Sequence, residues 1–192
     1  MNFLAHFYLA GGDEGLILGN FLADYVRGRK YEEYPEHVRR GILQHRGIDD
    51  FTDTHDTVDR TKSRLRPKYG KYSPVICDVF YDYVLGSNWK DYSDQDLSSF
   101  AQGIYEVLHD NSSLLPERAQ MTLGFMSGKN WLYHYSSYYG IEKALQGLNR
   151  RASFDNDMHL AIHDLKEDGK SVELEFREFF PDLQAFAQSF KV

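Results

Sequence analysis

The sequence predicts an all-α fold, a single compact helical domain over residues 1–192. Three observations predict it. Apolar residues recur at three- and four-residue spacing along nearly the whole chain. No run of strict apolar/polar alternation is bounded by turn signals, as a half-buried strand would be. Helix start signals (Asp, Ser or Pro) and glycine stops divide the chain into helix-length pieces. A chain of 192 residues fits one domain and buries roughly 70% of its unfolded surface. Its 42% apolar and 15% aromatic content excludes disorder.

Taken in order, Met1 to Gly15 lacks a basic leader region and carries His6 inside an apolar stretch, which excludes a signal peptide. Asp13 caps a helix carrying Leu16, Ile17, Phe21 and Leu22 that is expected to end near Gly28. Pro35 opens the next helix at its first position, and the pattern runs to about Asp56. Ser73 and Pro74 start a third, through Ile76, Val79, Phe80 and Tyr83 to Gly86. Ser93 with Asp96 resembles a capping box before Leu97 to His109. Pro116 to Gly128 and Ile141 to Leu148 follow. Asp155 to Phe180 is a long helical stretch, expected to be interrupted near Gly169 and broken before Pro181. No stretch of 18 consecutive apolar residues exists, so no membrane span and a cytoplasmic location are expected.

The formal charge of −7 argues against nucleic acid as the partner, because phosphate binding needs a basic footprint. One segment departs from that average. Arg60, Lys62, Arg64, Arg66, Lys68 and Lys71 fall within twelve residues that hold no acid. The single cysteine, Cys77, excludes a disulfide framework and cysteine-based metal sites. Its apolar helix makes it a buried inert thiol rather than a nucleophile. Glycines 11, 12, 15 and 19 form no phosphate-binding loop, and Gly15 and Gly19 fit close helix packing instead. No GxSxG elbow exists to anchor a hydrolase triad.

The chemistry lies in polar groups on apolar stripes. At 100° per residue, Val38, Ile42, His45, Asp49 and Thr52 fall within roughly 80° of one another. His45 and Asp49 therefore sit mid-stripe, where an imidazole and a carboxylate are costly unless satisfied. Asp78 and Asp82 repeat the i, i+4 spacing in an apolar segment, Asn20 and Asp24 repeat it beside Phe21 and Leu22, and His6 lies in NFLAHFYLA. Two readings are open. Each group is satisfied by its own structural hydrogen bonds, or the four segments share one divalent cation, which answers all of them at once.

The motifs MNFLAH, GNFLADYVRG (Gly19–Gly28), GILQHRGIDDFTD (Gly41–Asp53) and CDVFYDYVL (Cys77–Leu85) resemble the acyl carrier protein phosphodiesterases. Order and spacing match over the first 90 residues. The resemblance implies a distorted HD-domain-like fold, metal-site helices over about 1–90 and packing helices over about 93–192. It implies a divalent metal, manganese as the usual ion with Mg²⁺ or Fe²⁺ as alternatives. The implied reaction releases 4′-phosphopantetheine from holo-acyl carrier protein. By position it gives Asp24, His45, Asp78 and His6 as metal ligands. The ordinary HD doublet is broken, since Arg46 follows His45, and Asp49 one turn on is the substitute. Asp49 or Asp82 is the expected proton acceptor. Arg46 and Arg27 are the expected phosphate donors, and residues 60–71 the expected docking strip for the acidic carrier. The rivals are an HD-type nucleotide phosphohydrolase and a non-catalytic helical module binding an acidic protein.

Overall fold

The computed structural model describes residues 1–154 and 156–190. Within them lie ten α-helices and several 3₁₀ turns, and no strand. The helices are α1 (Phe3–Ala10), α2 (Glu14–Leu22), α3 (Glu36–Thr54), α4 (Asp56–Tyr69), α5 (Ser73–Ser87), α6 (Leu97–Asp110), α7 (Glu117–Gly128), α8 (Trp131–His134), α9 (Tyr138–Arg151) and α10 (Ala161–Gln188). The all-α expectation holds. No helix among the described residues is long and apolar enough to cross a membrane.

Local signals account for most boundaries. The Asp13 side chain accepts from Leu16 N at 2.9 Å and caps α2, which ends at Leu22 in a 3₁₀ turn, short of the expected Gly28. Pro35 is the cap of α3 rather than its first helical residue. Asp96, not Ser93, caps α6 by accepting from Ser99 N. Helix α9 starts earlier than Ile141, because Ser137 accepts from Gly140 N.

Three helices were not foreseen, the four-residue α8 among them. Helix α1 is apolar on nearly every side and so shows no amphipathic stripe. Helix α4 lies under the basic segment, and its buried Val58, Thr61, Leu65 and Tyr69 form a stripe obscured by the charges between them. The sequence also mispredicts α10, which runs unbroken through Gly169 and Pro181. Asp155, the expected start of that stretch, lies outside the described residues. An internal proline costs about 3 kcal/mol. Phe179, Phe180, Leu183 and Ala187 bury fully around it, and burial of one large apolar side chain returns about 1.5–3 kcal/mol. Packing therefore outweighs the proline. Phe176, Phe179 and Phe180 meet Tyr81 and Tyr92 in an aromatic cluster where α10 crosses α5.

The contact that sets the site is α2 against α3. A Cβ on Gly19 would stand 2.3 Å from Val38 O and 2.4 Å from Gly41 Cα. The two backbones approach so closely that only glycine fits. One turn further on, the Asn20 amide donates to Gln44 Oε1 at 2.7 Å, and His45 lies beside His6 of α1.

Most of the basic segment is spent inside the fold, half of it on α10. Arg64 makes a two-pronged pair with Glu175 (2.7 and 2.6 Å) and reaches Asp168 at 2.6 Å. Arg60 pairs with Glu178, Lys68 with Asp164 and Arg66 with Asp59. Lys62 is buried and donates to Asp53 O at 2.7 Å. Lys71 stacks its ammonium 3.5 Å from the centroid of Phe154. The expected docking strip is thus largely a neutralised helix–helix seam, because the acids of α10 lie across from it. Arg64→Ala is expected to cost about 1 kcal/mol, as half-exposed ion pairs do, read as a drop of about 2–4 °C in Tm.

Candidate metal centre

Two helices, α1 and α3, bring His6, His45 and Asp49 together, with one ligand atom from each within 4.8 Å of the others. The Asp49 carboxylate lies between the imidazoles, Oδ1 3.2 Å from His6 Nε2 and Oδ2 3.1 Å from His45 Nε2. The rings stack with centroids 4.0 Å apart and planes 13° apart. Asp24 Oδ1 stands 3.7 Å from His45 Nε2. Donor atoms about 2.1 Å from a common ion are spaced roughly 3–4 Å from each other, and these distances fall in that range. The imidazoles are buried, whereas the side chains of Asp49 and Asp24 are 41% and 51% exposed. The cluster therefore opens to solvent on its carboxylate side.

Hydrogen bonds fix the state of His6. The Asn20 amide nitrogen donates to Leu16 O at 2.8 Å and to Gln44 Oε1 at 2.7 Å, so its oxygen is the acceptor for His6 Nδ1 at 3.0 Å. His6 Nδ1 then carries the proton and Nε2 the lone pair. That lone pair faces two more oxygens, Met1 O at 3.1 Å and Asp49 Oδ1 at 3.2 Å. Protonating His6 would relieve the repulsion, but burial and the neighbouring His45 push its pKa down to about 4. A cation between these atoms satisfies all of them. His45 Nδ1 is buried without a hydrogen-bond partner among the described residues. Burial pushes the Asp49 carboxyl upward, but the His45 and His6 rings beside it and the Met1 α-amino group outweigh it and hold it well below the usual range. Partial desolvation raises Asp24, with His45 opposing and Asp49 adding.

The remaining expected site residues are placed differently. Asp82 is fully buried, and its carboxylate accepts from Leu4 N at 2.7 Å and Ala5 N at 3.2 Å. It satisfies the free N–H groups at the start of α1, so it is not the expected proton acceptor. Desolvation pushes it up to about 7, against the pull of those same N–H groups. Asp78 pairs with the Met1 α-amino group at 3.1 Å, outside the His6–His45–Asp49 group. Arg46 donates to Val26 O at 2.8 Å and Gly28 O at 2.9 Å and stacks over Tyr31. It anchors the loop after Asp24, and its donors are not turned to a phosphate. Arg27 is exposed and in no ion pair among the described residues. Sequence reasoning noticed Asn20 but missed its task of fixing the His6 ring, for which its i, i+4 spacing from Leu16 on a buried face is the available signal.

A family model described as acyl carrier protein phosphodiesterase matches residues 1–183. A protein of that name from Yersinia enterocolitica is 32% identical over 189 residues, 98% of each chain. One from Photorhabdus laumondii is 30% identical over 190 residues, 98% of this chain and 96% of that one. One from Klebsiella pneumoniae is 30% identical over 194 residues, 98% of each chain. No solved structure matches the chain.

Proposed function

Because the chain belongs to the acyl carrier protein phosphodiesterase family, we propose that this enzyme hydrolyses the phosphodiester between 4′-phosphopantetheine and a serine of holo-acyl carrier protein, using a divalent cation held by His6, His45, Asp49 and Asp24. The observation that carries the cation is the His6 Nε2 lone pair, which faces the Met1 carbonyl and the Asp49 carboxylate with no proton between them. Asp49, one turn beyond His45, does the work that an aspartate directly after the histidine does in an HD doublet. Two imidazoles with carboxylates suit manganese, with Mg²⁺ and Fe²⁺ as alternatives. Such an ion supplies a Lewis acid for the phosphoryl oxygen and eases deprotonation of the attacking water.

The residues divide the remaining work. Asn20 holds the His6 ring in one tautomer, so that Nε2 is ready without reorganisation. Asp49 is engaged by both imidazoles. Asp24, at the solvent edge, would meet the ion through one oxygen and leave the other free to accept the water proton. Arg27, three residues on and exposed, is the arginine we assign to offer donors to a phosphate oxygen. Water oxygen joins phosphorus, the bond from phosphorus to the serine oxygen breaks, and that oxygen leaves with a proton.

Incubation with holo-acyl carrier protein and Mn²⁺ is expected to remove the phosphopantetheine mass from the carrier, seen by intact-protein mass spectrometry. An unchanged carrier mass under those conditions would reject the reading. No side-chain nucleophile takes part. Cys77 is fully buried, and burial raises its thiol far above the usual range. Cys77→Ala is accordingly expected to keep kcat within about twofold while losing about 1 kcal/mol of packing. A phosphopantetheinyl adduct on the protein would contradict direct attack by water.

A further inference from the structure

With the cations of α4 paired to acids of α10, of α3 or of α4 itself, the positive charge near the metal cluster comes from elsewhere. Helix α7 buries Ala119, Leu123 and Met126. At 100° per residue, Arg118, Met121, Thr122 and Phe125 fall within about 100° on the adjoining face. Met121 and Phe125 are 60% and 58% exposed, a large apolar pair on the outward side of the helix. Thr122, whose hydroxyl donates to Arg118 O at 3.1 Å, neighbours Tyr25, next in sequence to Asp24. The charges of Arg118 and of Arg151, at the end of α9, both reach Tyr25, and that of Arg151 reaches Asp24 itself. Both arginines are exposed, and neither is in an ion pair among the described residues. Large exposed apolar side chains framed by unpaired arginines mark a protein-binding surface, since aromatic residues and arginine dominate such contacts.

We infer that the Arg118–Met121–Thr122–Phe125 face of α7, together with Arg151, is where the protein substrate docks. Its occupant is an acidic helical surface carrying apolar side chains. This rests on the reading above that the substrate is a carrier protein. Charge complementarity selects the occupant. The enzyme is net negative, so an acidic partner is repelled at long range and must be captured by locally unpaired cations. Those at α7 and α9 act on Tyr25 and Asp24 at the carboxylate side of the cluster, whereas Arg60, Arg64 and Lys68 of α4 are neutralised by α10 and Arg66 by Asp59. A partner seated on α7 has Tyr25 and Asp24 at its edge, within reach of a flexible prosthetic arm. A serine phosphodiester on that partner then meets the cluster from its solvent-open side.

The test is isothermal titration of the full-length enzyme with apo-acyl carrier protein, which binds without being consumed, and steady-state turnover of the holo form. The Arg118→Glu/Arg151→Glu variant is expected to weaken Kd by about tenfold or more and to flatten its salt dependence. Phe125→Ser, at an exposed position whose loss does not empty the core, is expected to weaken Kd comparably without changing the salt slope. For both, KM for the holo carrier rises while kcat changes little. Arg66→Glu on α4 is expected to leave Kd unaltered. Unchanged Kd in the arginine and phenylalanine variants, or a loss confined to Arg66→Glu, overturns the docking face. A wild type that binds the carrier, loses that binding in the α7 variants and yet never releases the arm overturns the reading of the reaction and supports the docking face.

Discussion

Asp49→Asn is expected to lower kcat/KM by about a thousandfold or more while the far-ultraviolet circular dichroism keeps its helical form. The asparagine matches the carboxylate in shape, so the stripe of α3 stays packed. What disappears is the one negative group that faces both imidazoles, at 3.1 and 3.2 Å. A thousandfold corresponds to about 4 kcal/mol of barrier, in line with the several kcal/mol that a bound cation contributes to charge stabilisation in phosphoryl chemistry. Manganese content, read by elemental analysis after desalting, is expected to fall in parallel. Asp24→Asn, at a half-exposed position, is expected to abolish nearly all turnover with smaller loss of metal, because Asp24 stands further from the imidazoles, at 3.7 Å from His45 Nε2. Full turnover by the wild type after exhaustive chelation, or an Asp49→Asn protein with full manganese content and near-normal rate, would remove the cation from the reaction.

The second large effect concerns stability. Gly19→Ala places a Cβ 2.3 Å from the Val38 carbonyl oxygen and 2.4 Å from Gly41 Cα. Both obstacles are backbone, so no rotamer change relieves them, and α2 must move away from α3. Overpacking a core typically costs about 1–3 kcal/mol, more where nothing can yield. The expected loss is at least about 3 kcal/mol, or roughly 6–12 °C in Tm for a chain of this size. Separating the helices also pulls Asn20 away from Gln44 and loosens the His6 ring. Gly103→Ala in α6 is the control, since an added Cβ there meets nothing within 4 Å. It is expected to be neutral or stabilising by up to about 1 kcal/mol. Equal melting temperatures for Gly19→Ala and the wild type would mean that the helix crossing is not rigid.

Periodicity and local cap signals determined the all-α class, the cap at Asp13, and the placement of His45 and Asp49 on the buried stripe of α3. These are properties of one helix at a time, set by 100° steps and by local side-chain-to-backbone bonds. Periodicity also identified buried polar groups on four segments, a set that contains the three clustered residues. The resemblance of its motifs to a known family pointed to the same residues and to the family that the comparisons support. Tertiary structure decided which of those groups meet. Asp78 and Asp82 look like His45 and Asp49 in spacing, yet Asp82 is taken by the backbone of α1, 78 residues away, and Asp78 by the Met1 α-amino group. The six basic residues of 60–71 look like a free strip until α10 brings Asp164, Asp168, Glu175 and Glu178 across from them. Arg118 and Arg151 carry no sequence signal at all, being single charges on separate helices whose effects come together only at Tyr25. A helix repeat fixes the face on which a side chain stands. What stands opposite depends on the packing of distant segments, and at the α2–α3 crossing on two glycines that let the backbones touch.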